Sequence, residues 1–262
     1  MRRIRSMTHV AMAILSIIVT PFAAIGGERD VLYQVSTINA LLEGVYDGEM
    51  TYGDVMEHGA FGLGTFNGLD GEMVQLEGSV YQIKTDGKAY VVKSETKTPF
   101  AMTTWFEADV TGFQKAPLGS EELQARLDAM IVSKNLIYAV KITGSFDYLK
   151  LRSVPAQSKP YPKLKKVIEN QAVFEHSKAI GAIVGFRIPG SLKGANSPGY
   201  HFHFISEDRK YGGHVLALRT AKVKIELDQT RGFMMILPAD QEFLEADESS
   251  DTYKPMESKS PR

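Results

Sequence analysis

The sequence predicts an α+β fold made of two closely packed units of mixed or antiparallel β-sheet with few helices. Three observations predict it. Short apolar runs separated by glycine and Asp-Gly turn signals recur along the chain, as hairpins require. Only three stretches show helical periodicity, and the last third is almost continuously strand-like. With 262 residues, 44% hydrophobic and 23% charged, the chain has an ordinary globular composition and enough length to bury a substantial core.

The first residues read as an address. Arg2, Arg3 and Arg5 precede an apolar run over 10–20, and Ala23, Ala24 and Gly26 supply small residues for cleavage. This is the pattern of a secretory signal peptide over 1–26. The run is shorter than the roughly 20 apolar residues of a spanning helix, so no membrane anchor is expected to survive cleavage. The expected location is the periplasm or the medium. Beyond it, the sequence is expected to divide into an N-terminal α/β domain over 27–158, a C-terminal β-rich domain over 159–245 and a tail over 246–262.

In chain order, Ile38, Leu41, Leu42 and Val45 are spaced as one apolar helix face, predicting a helix over 36–43 capped by Ser36. The glycine-punctuated stretch 61–67 lacks the Lys-Ser/Thr of a phosphate loop, so Gly62 and Gly64 are expected to permit close backbone approach. Apolar runs at 73–76, 80–83 and 90–92, with the Asp86-Gly87 turn, predict antiparallel hairpins. A second helix is expected over 120–131, with Leu123, Leu127, Met130 and Ile131 on one face. Strands at 136–142 and 146–154 are expected to meet at a turn on Gly144 and Ser145, and a short helix follows over 160–170. The remaining strands fall at 180–188, 200–205, 214–218, 221–227 and 233–237. From about residue 245 the chain is acidic and serine-rich, the composition of a disordered tail or of a strap over the body.

Charge and cysteine content exclude several functions. The net charge of −1 lacks the basic excess of a nucleic-acid binder. Loss of the leader removes three arginines and no acids, lowering it to −4. Having no cysteine, the chain can form neither disulfides nor thiolate metal sites, leaving histidine as the soft-metal ligand.

Three histidines cluster. On a strand, His201 and His203 share a face while Phe202 and Phe204 take the other. A hairpin centred near 207–209 would bring His214 opposite them, giving a metal site on a β-hairpin of the C-terminal part. Three neutral imidazoles with an open fourth position suit a catalytic zinc ion. His201, His203 and Glu207 also fit part of the cupin metal pattern, a cupin-like alternative, but the upstream glycine spacing is wrong and the second cupin histidine motif is missing. Glu72 reads from the sequence alone as an ordinary surface acid, and Arg152 as a salt-bridge partner leaving its strand opposite Leu149 and Leu151. His58 and His176 carry no spacing signal.

Read together, segments 33–37 (YQVST), 44–48 (GVYDG), 61–67 (FGLGTFN), 69–72 (LDGE), 199–205 (GYHFHFI) and 212–215 (GGHV) closely resemble the alpha-acetolactate decarboxylase family. The resemblance runs over 31–244. It implies a two-domain α/β enzyme that holds Zn2+ by His201, His203 and His214. The implied reaction converts 2-acetolactate to (R)-acetoin and CO2, a step toward acetoin and butanediol, through a metal-stabilised enediolate protonated by a glutamate. By the same resemblance Thr65 binds substrate, Arg152 binds and orients it, and Glu72 is catalytic. Glu257 in the tail matches a further family glutamate, although the chain ends one residue later than the family pattern. A homodimer is also implied, with a small-molecule substrate and no nucleic-acid partner. The competing reading is a non-catalytic exported module that binds a metal or a small acid and has no need of Glu72 or Arg152.

Overall fold

A computed structural model describes residues 29–249. The signal peptide expected over 1–26, and Glu257 with the end of the tail, lie outside the described residues.

The chain starts with β1 (Val31–Val35) and α1 (Ile38–Glu43), followed by α2 (Tyr52–Met56), β2 (Phe61–Thr65), β3 (Glu72–Leu76), β4 (Ser79–Ile83) and β5 (Ala89–Val91). Next come β6 (Ala101–Thr104), β7 (Val110–Gln114), α3 (Ser120–Asp128), β8 (Ile137–Ser153) and α4 (Leu164–Ile168). The last part holds β9 (Ala172–Ile188), β10 (Gly199–Ser206), β11 (Gly212–Thr230), β12 (Gly232–Ile236) and α5 (Gln241–Glu245). This is the predicted α+β class, with two sheets and few, short helices.

The first sheet has seven strands in the order β12-β1-β6-β2-β3-β4-β5, mixed because β12 runs parallel to β1. The second has five in the order β10-β9-β8-β11-β7, and a further pairing of β10 with β11 closes four of them on themselves. Strands β7 and β8 belong to the second sheet and β12 to the first, so a cut at residue 158 does not coincide with the division into sheets. The sheets pack through a shared core in which Leu63, Val74 and Phe61 meet Ala182, Val184, Phe186 and Ile205. Hydrophobic burial across this interface is the main force holding the halves together.

Several local expectations are corrected. Thr37, not Ser36, caps α1, its hydroxyl accepting from the Ala40 N–H, while Ser36 adopts a left-handed φ of 64°. The turn expected at Gly144 and Ser145 is absent: β8 runs through it unbroken. A Cβ at Gly144 would lie 2.2 Å from the Lys222 carbonyl oxygen, so glycine is there for close approach where the β8–β11 register slips. Likewise 214–218 and 221–227 are one strand, β11, interrupted only by register shifts. The helix expected over 120–131 ends at Asp128, and that over 160–170 narrows to Leu164–Ile168. Strand β9 begins eight residues before the expected 180. Strands β1, β2, β6 and β7 and helices α2 and α5 were not expected from the sequence. Before the described residues end, Glu248 accepts a hydrogen bond from Thr37 (2.8 Å) and its carbonyl one from Asn39 (2.9 Å), laying this stretch along α1 as a strap.

Candidate metal and substrate site

The candidate residues come together where the two sheets meet. In the second sheet, His203 on β10 stands opposite His214 on β11, and His214 stands opposite Arg152 on β8. The strand alternation expected for His201 and His203 therefore holds, and the turn between β10 and β11 delivers the third imidazole. In the first sheet, Thr65 on β2 is paired with Glu72 on β3. That placement needs β2 close to β6, and Gly64 permits it: a Cβ there would lie 2.4 Å from the Phe100 carbonyl oxygen.

Ligand atoms of His201, His203 and His214 all lie within 4.8 Å of one another, with His201 Nε2 3.1 Å from His214 Nδ1. His203 Nδ1 sits 2.7 Å from the Met73 carbonyl oxygen. A carbonyl only accepts, so Nδ1 carries the proton and Nε2 keeps its lone pair. That Nε2 is buried without a hydrogen-bond partner. Burial, aided by the Arg152 cation, pushes His201 down to about 3. Burial likewise holds His203 and His214 well below the ordinary histidine range. Three neutral, converging imidazoles, one with an orphaned lone pair and a backbone carbonyl fixing its tautomer, form a donor set that fits a metal ion such as zinc.

Glu72 and Arg152 are both buried, with Arg152 Nη1 3.3 Å from Glu72 Oε1. Glu72 Oε2 lies 3.5 Å from His203 Nε2, and Oε1 has no hydrogen-bond partner. Burial raises the Glu72 carboxyl above its ordinary range, with the Arg152 charge opposing that rise. The Thr65 hydroxyl donates to the Gly71 carbonyl (2.7 Å), and the Thr65 carbonyl accepts from Tyr52 (2.5 Å) and Thr98 (2.8 Å). The only hydroxyl proton of Thr65 is thus committed, leaving lone pairs toward the pocket.

All six residues line one cavity of about 480 Å³. Its remaining wall is largely apolar, with Ile38, Leu41 and Leu42 from α1, Phe100, Val154 and Leu164. The sequence reading did not single out these wall residues, nor Tyr52, Thr98 or the Met73 carbonyl, because none carries a motif. The helical periodicity of 36–43 was the one available signal. Glu207, the cupin-like candidate, is exposed in the β10–β11 turn and is not in the histidine group. His58 stacks on Tyr33 and His176 on Tyr211, both as packing groups.

Comparison with known proteins agrees with this geometry. The family model described as alpha-acetolactate decarboxylase matches residues 32–249. A protein of that name from Methanosarcina mazei is 53% identical over 218 residues, covering 83% of this chain and 76% of its own. Another from Klebsiella aerogenes is 43% identical, covering 82% of this chain and 83% of its own. The crystal structure of the Bacillus subtilis strain 168 alpha-acetolactate decarboxylase superposes with a TM-score of 0.83 at 35% identity, covering 84% of this chain and 94% of the other.

Proposed function

The chain belongs to the alpha-acetolactate decarboxylase family and decarboxylates acetolactate; from that premise we propose a zinc-dependent reaction that yields (R)-acetoin and CO2. The observation that carries the proposal is one buried pocket holding two unsatisfied atoms, His203 Nε2 and Glu72 Oε1, beside the Arg152 cation.

2-Acetolactate carries its carboxylate next to a ketone, so losing CO2 leaves an electron pair that spreads onto oxygen as an enediolate. His201, His203 and His214 would hold the zinc ion, which when bound supplies a Lewis acid for the oxygens where that charge collects. Arg152 binds the carboxylate by charge-assisted hydrogen bonds and sets its direction of departure. Thr65, its own proton committed to Gly71, accepts the hydrogen bond of the substrate hydroxyl. Glu72, its carboxyl raised by burial, delivers a proton to the carbon that has lost CO2. Delivery from one side of a walled pocket yields one enantiomer. The apolar wall surrounds the two methyl groups and excludes water. By the family resemblance alone, Glu257 of the tail would assist this proton transfer.

Replacing Glu72 by Gln tests the reading. Zinc content should stay at the wild-type level while kcat falls about 10²-fold or more, the scale of a positioned acid. Unchanged turnover in this variant would remove Glu72 from the mechanism. The leader supports export, and the N-terminal sequence of the mature protein from the periplasm or medium should begin near residue 27. The family resemblance supports a homodimer, which light scattering on the purified protein tests.

A further inference from the structure

We propose that Ser153 is a positioning residue for the decarboxylation, setting the distance between Arg152 and Glu72 through a hydrogen bond that ties the two sheets together. The inference rests on the reading above, in which Glu72 and Arg152 act on the substrate.

Ser153 follows Arg152 on β8 and is wholly buried. Its hydroxyl donates to the Ile83 carbonyl oxygen at 2.8 Å. Ile83 ends β4 and is the cross-strand partner of Glu72. The bond therefore runs from the neighbour of Arg152 in one sheet to the partner of Glu72 in the other. A second intersheet bond, from His203 Nδ1 to the Met73 carbonyl, ends on the residue after Glu72. Glu72 is thus braced from along its own strand by one bond and from the adjacent strand by the other.

Other hydrogen bonds also join the sheets, from Ala89 N–H to the Lys210 carbonyl (2.9 Å) and from Gly212 N–H to the Gly87 carbonyl (3.3 Å), but they end on β5 and the turn before it, not on the strand of Glu72 or on its cross-strand partner. The core contacts between the sheets, such as Phe61 against Phe186, are apolar and non-directional, and by themselves they tolerate small sliding. A hydrogen bond weakens steeply with misalignment and so fixes register. The Glu72–Arg152 contact crosses the same interface at 3.3 Å and leaves Oε1 without a hydrogen bond, so it reports the spacing rather than imposing it. The His203 brace secures the metal side of Glu72; the Ser153 brace secures the arginine side.

Ser153→Ala and Ser153→Cys in the full-length enzyme test this, read by kcat, KM, zinc content, melting temperature and the enantiomer ratio of the acetoin formed. Ala removes the donor; Cys keeps nearly the same volume with a weak one. In Ser153→Ala, kcat should fall about 10-fold, within the up to 10²-fold cost of a 1 Å misplacement. KM and zinc content should stay within about twofold, and the (R) excess should drop because protonation is no longer held to one face. Ser153→Cys should fall between Ala and wild type, and it carries the test if the Ala variant does not fold. A residue that only supports the fold would lower the melting temperature and leave kcat and the enantiomer ratio alone, and that result overturns the inference. Full turnover by Glu72→Gln would instead strike the underlying reading, so the two failures are separable.

Discussion

His203 shows how a backbone atom decides what a side chain can do. Its ring is buried, so protonation is disfavoured, and Nδ1–H donates to the Met73 carbonyl, leaving the Nε2 lone pair free for a metal. His203→Ala should lose zinc by at least the roughly 10–100-fold in affinity associated with even an outer-shell partner. Plasma mass spectrometry on the purified variant measures it, and full zinc occupancy would exclude His203 as a ligand. Arg152→Ala should cost about 10²-fold in kcat, the scale of one preorganised charge-stabilising donor, with zinc retained. The histidine triad was legible because strand side chains alternate with period two and a short turn must bring β11 back beside β10. The tautomer was not, because its partner is a main-chain oxygen 130 residues away with no side-chain signature. Glu72 reads as ordinary in the sequence for a related reason: what sets it apart is burial against the second sheet. Only the family motifs set Glu72 and Arg152 apart in the sequence.

Among the elements, the hairpins of the first sheet were legible from alternation and Asp-Gly signals, while several short or long strands were not. Glycine is ambiguous: it marks a turn when φ must be positive and a close approach when a neighbouring backbone needs the space. Gly144 combines the two, a φ of 139° and a Cβ position 2.2 Å from the Lys222 carbonyl oxygen, within an unbroken strand, so the turn signal it carries splits β8 into two predicted strands. The breaks inside β11 came from register shifts, where the polar and apolar alternation slips without ending the strand. Strands β6 and β7 carry only four and five residues, too few for periodicity to register. At Gly64 the close-approach reading was right, and it yields a prediction. Gly64→Ala would drive its Cβ into the Phe100 carbonyl, separating β2 from β6 and displacing Thr65. Its melting temperature should fall by several degrees, as a ~1–3 kcal/mol overpacking penalty implies, with activity falling alongside. Thermal unfolding with a parallel kcat measurement checks this; a variant as stable and active as wild type would show that β2 tolerates the side chain.

For the whole molecule, the absence of cysteine leaves stability to core packing and buried electrostatics. Asp228, like Glu72, is a buried acid whose ionisation works against the fold. Desolvation lifts its carboxyl to about 7, the Glu107 N–H opposes the rise, and Asp109, Asp30 and Glu107 add to it. The folded state therefore keeps a proton that the unfolded chain has released, so stability falls as pH rises from the ordinary carboxylate range to about 7. Asp228→Asn should raise the melting temperature more at pH 8 than at pH 5, at about 2–4 °C for each kcal/mol recovered in a chain of this size. A pH-independent difference between variant and wild type would assign the effect to packing. Balanced overall charge also means that the proposed attraction for an anionic substrate would be local, centred on Arg152 and the three histidines. The central claim, that turnover depends on a metal held by the three histidines, is tested most directly by measuring acetoin formation and metal content together on purified protein. Both are followed before chelation, after chelation and after zinc is restored. About one zinc per chain is expected, as three protein ligands and one open position imply. Activity should vanish with the metal and return with it, and His203→Ala should recover neither. Full turnover by metal-free protein would contradict the central claim.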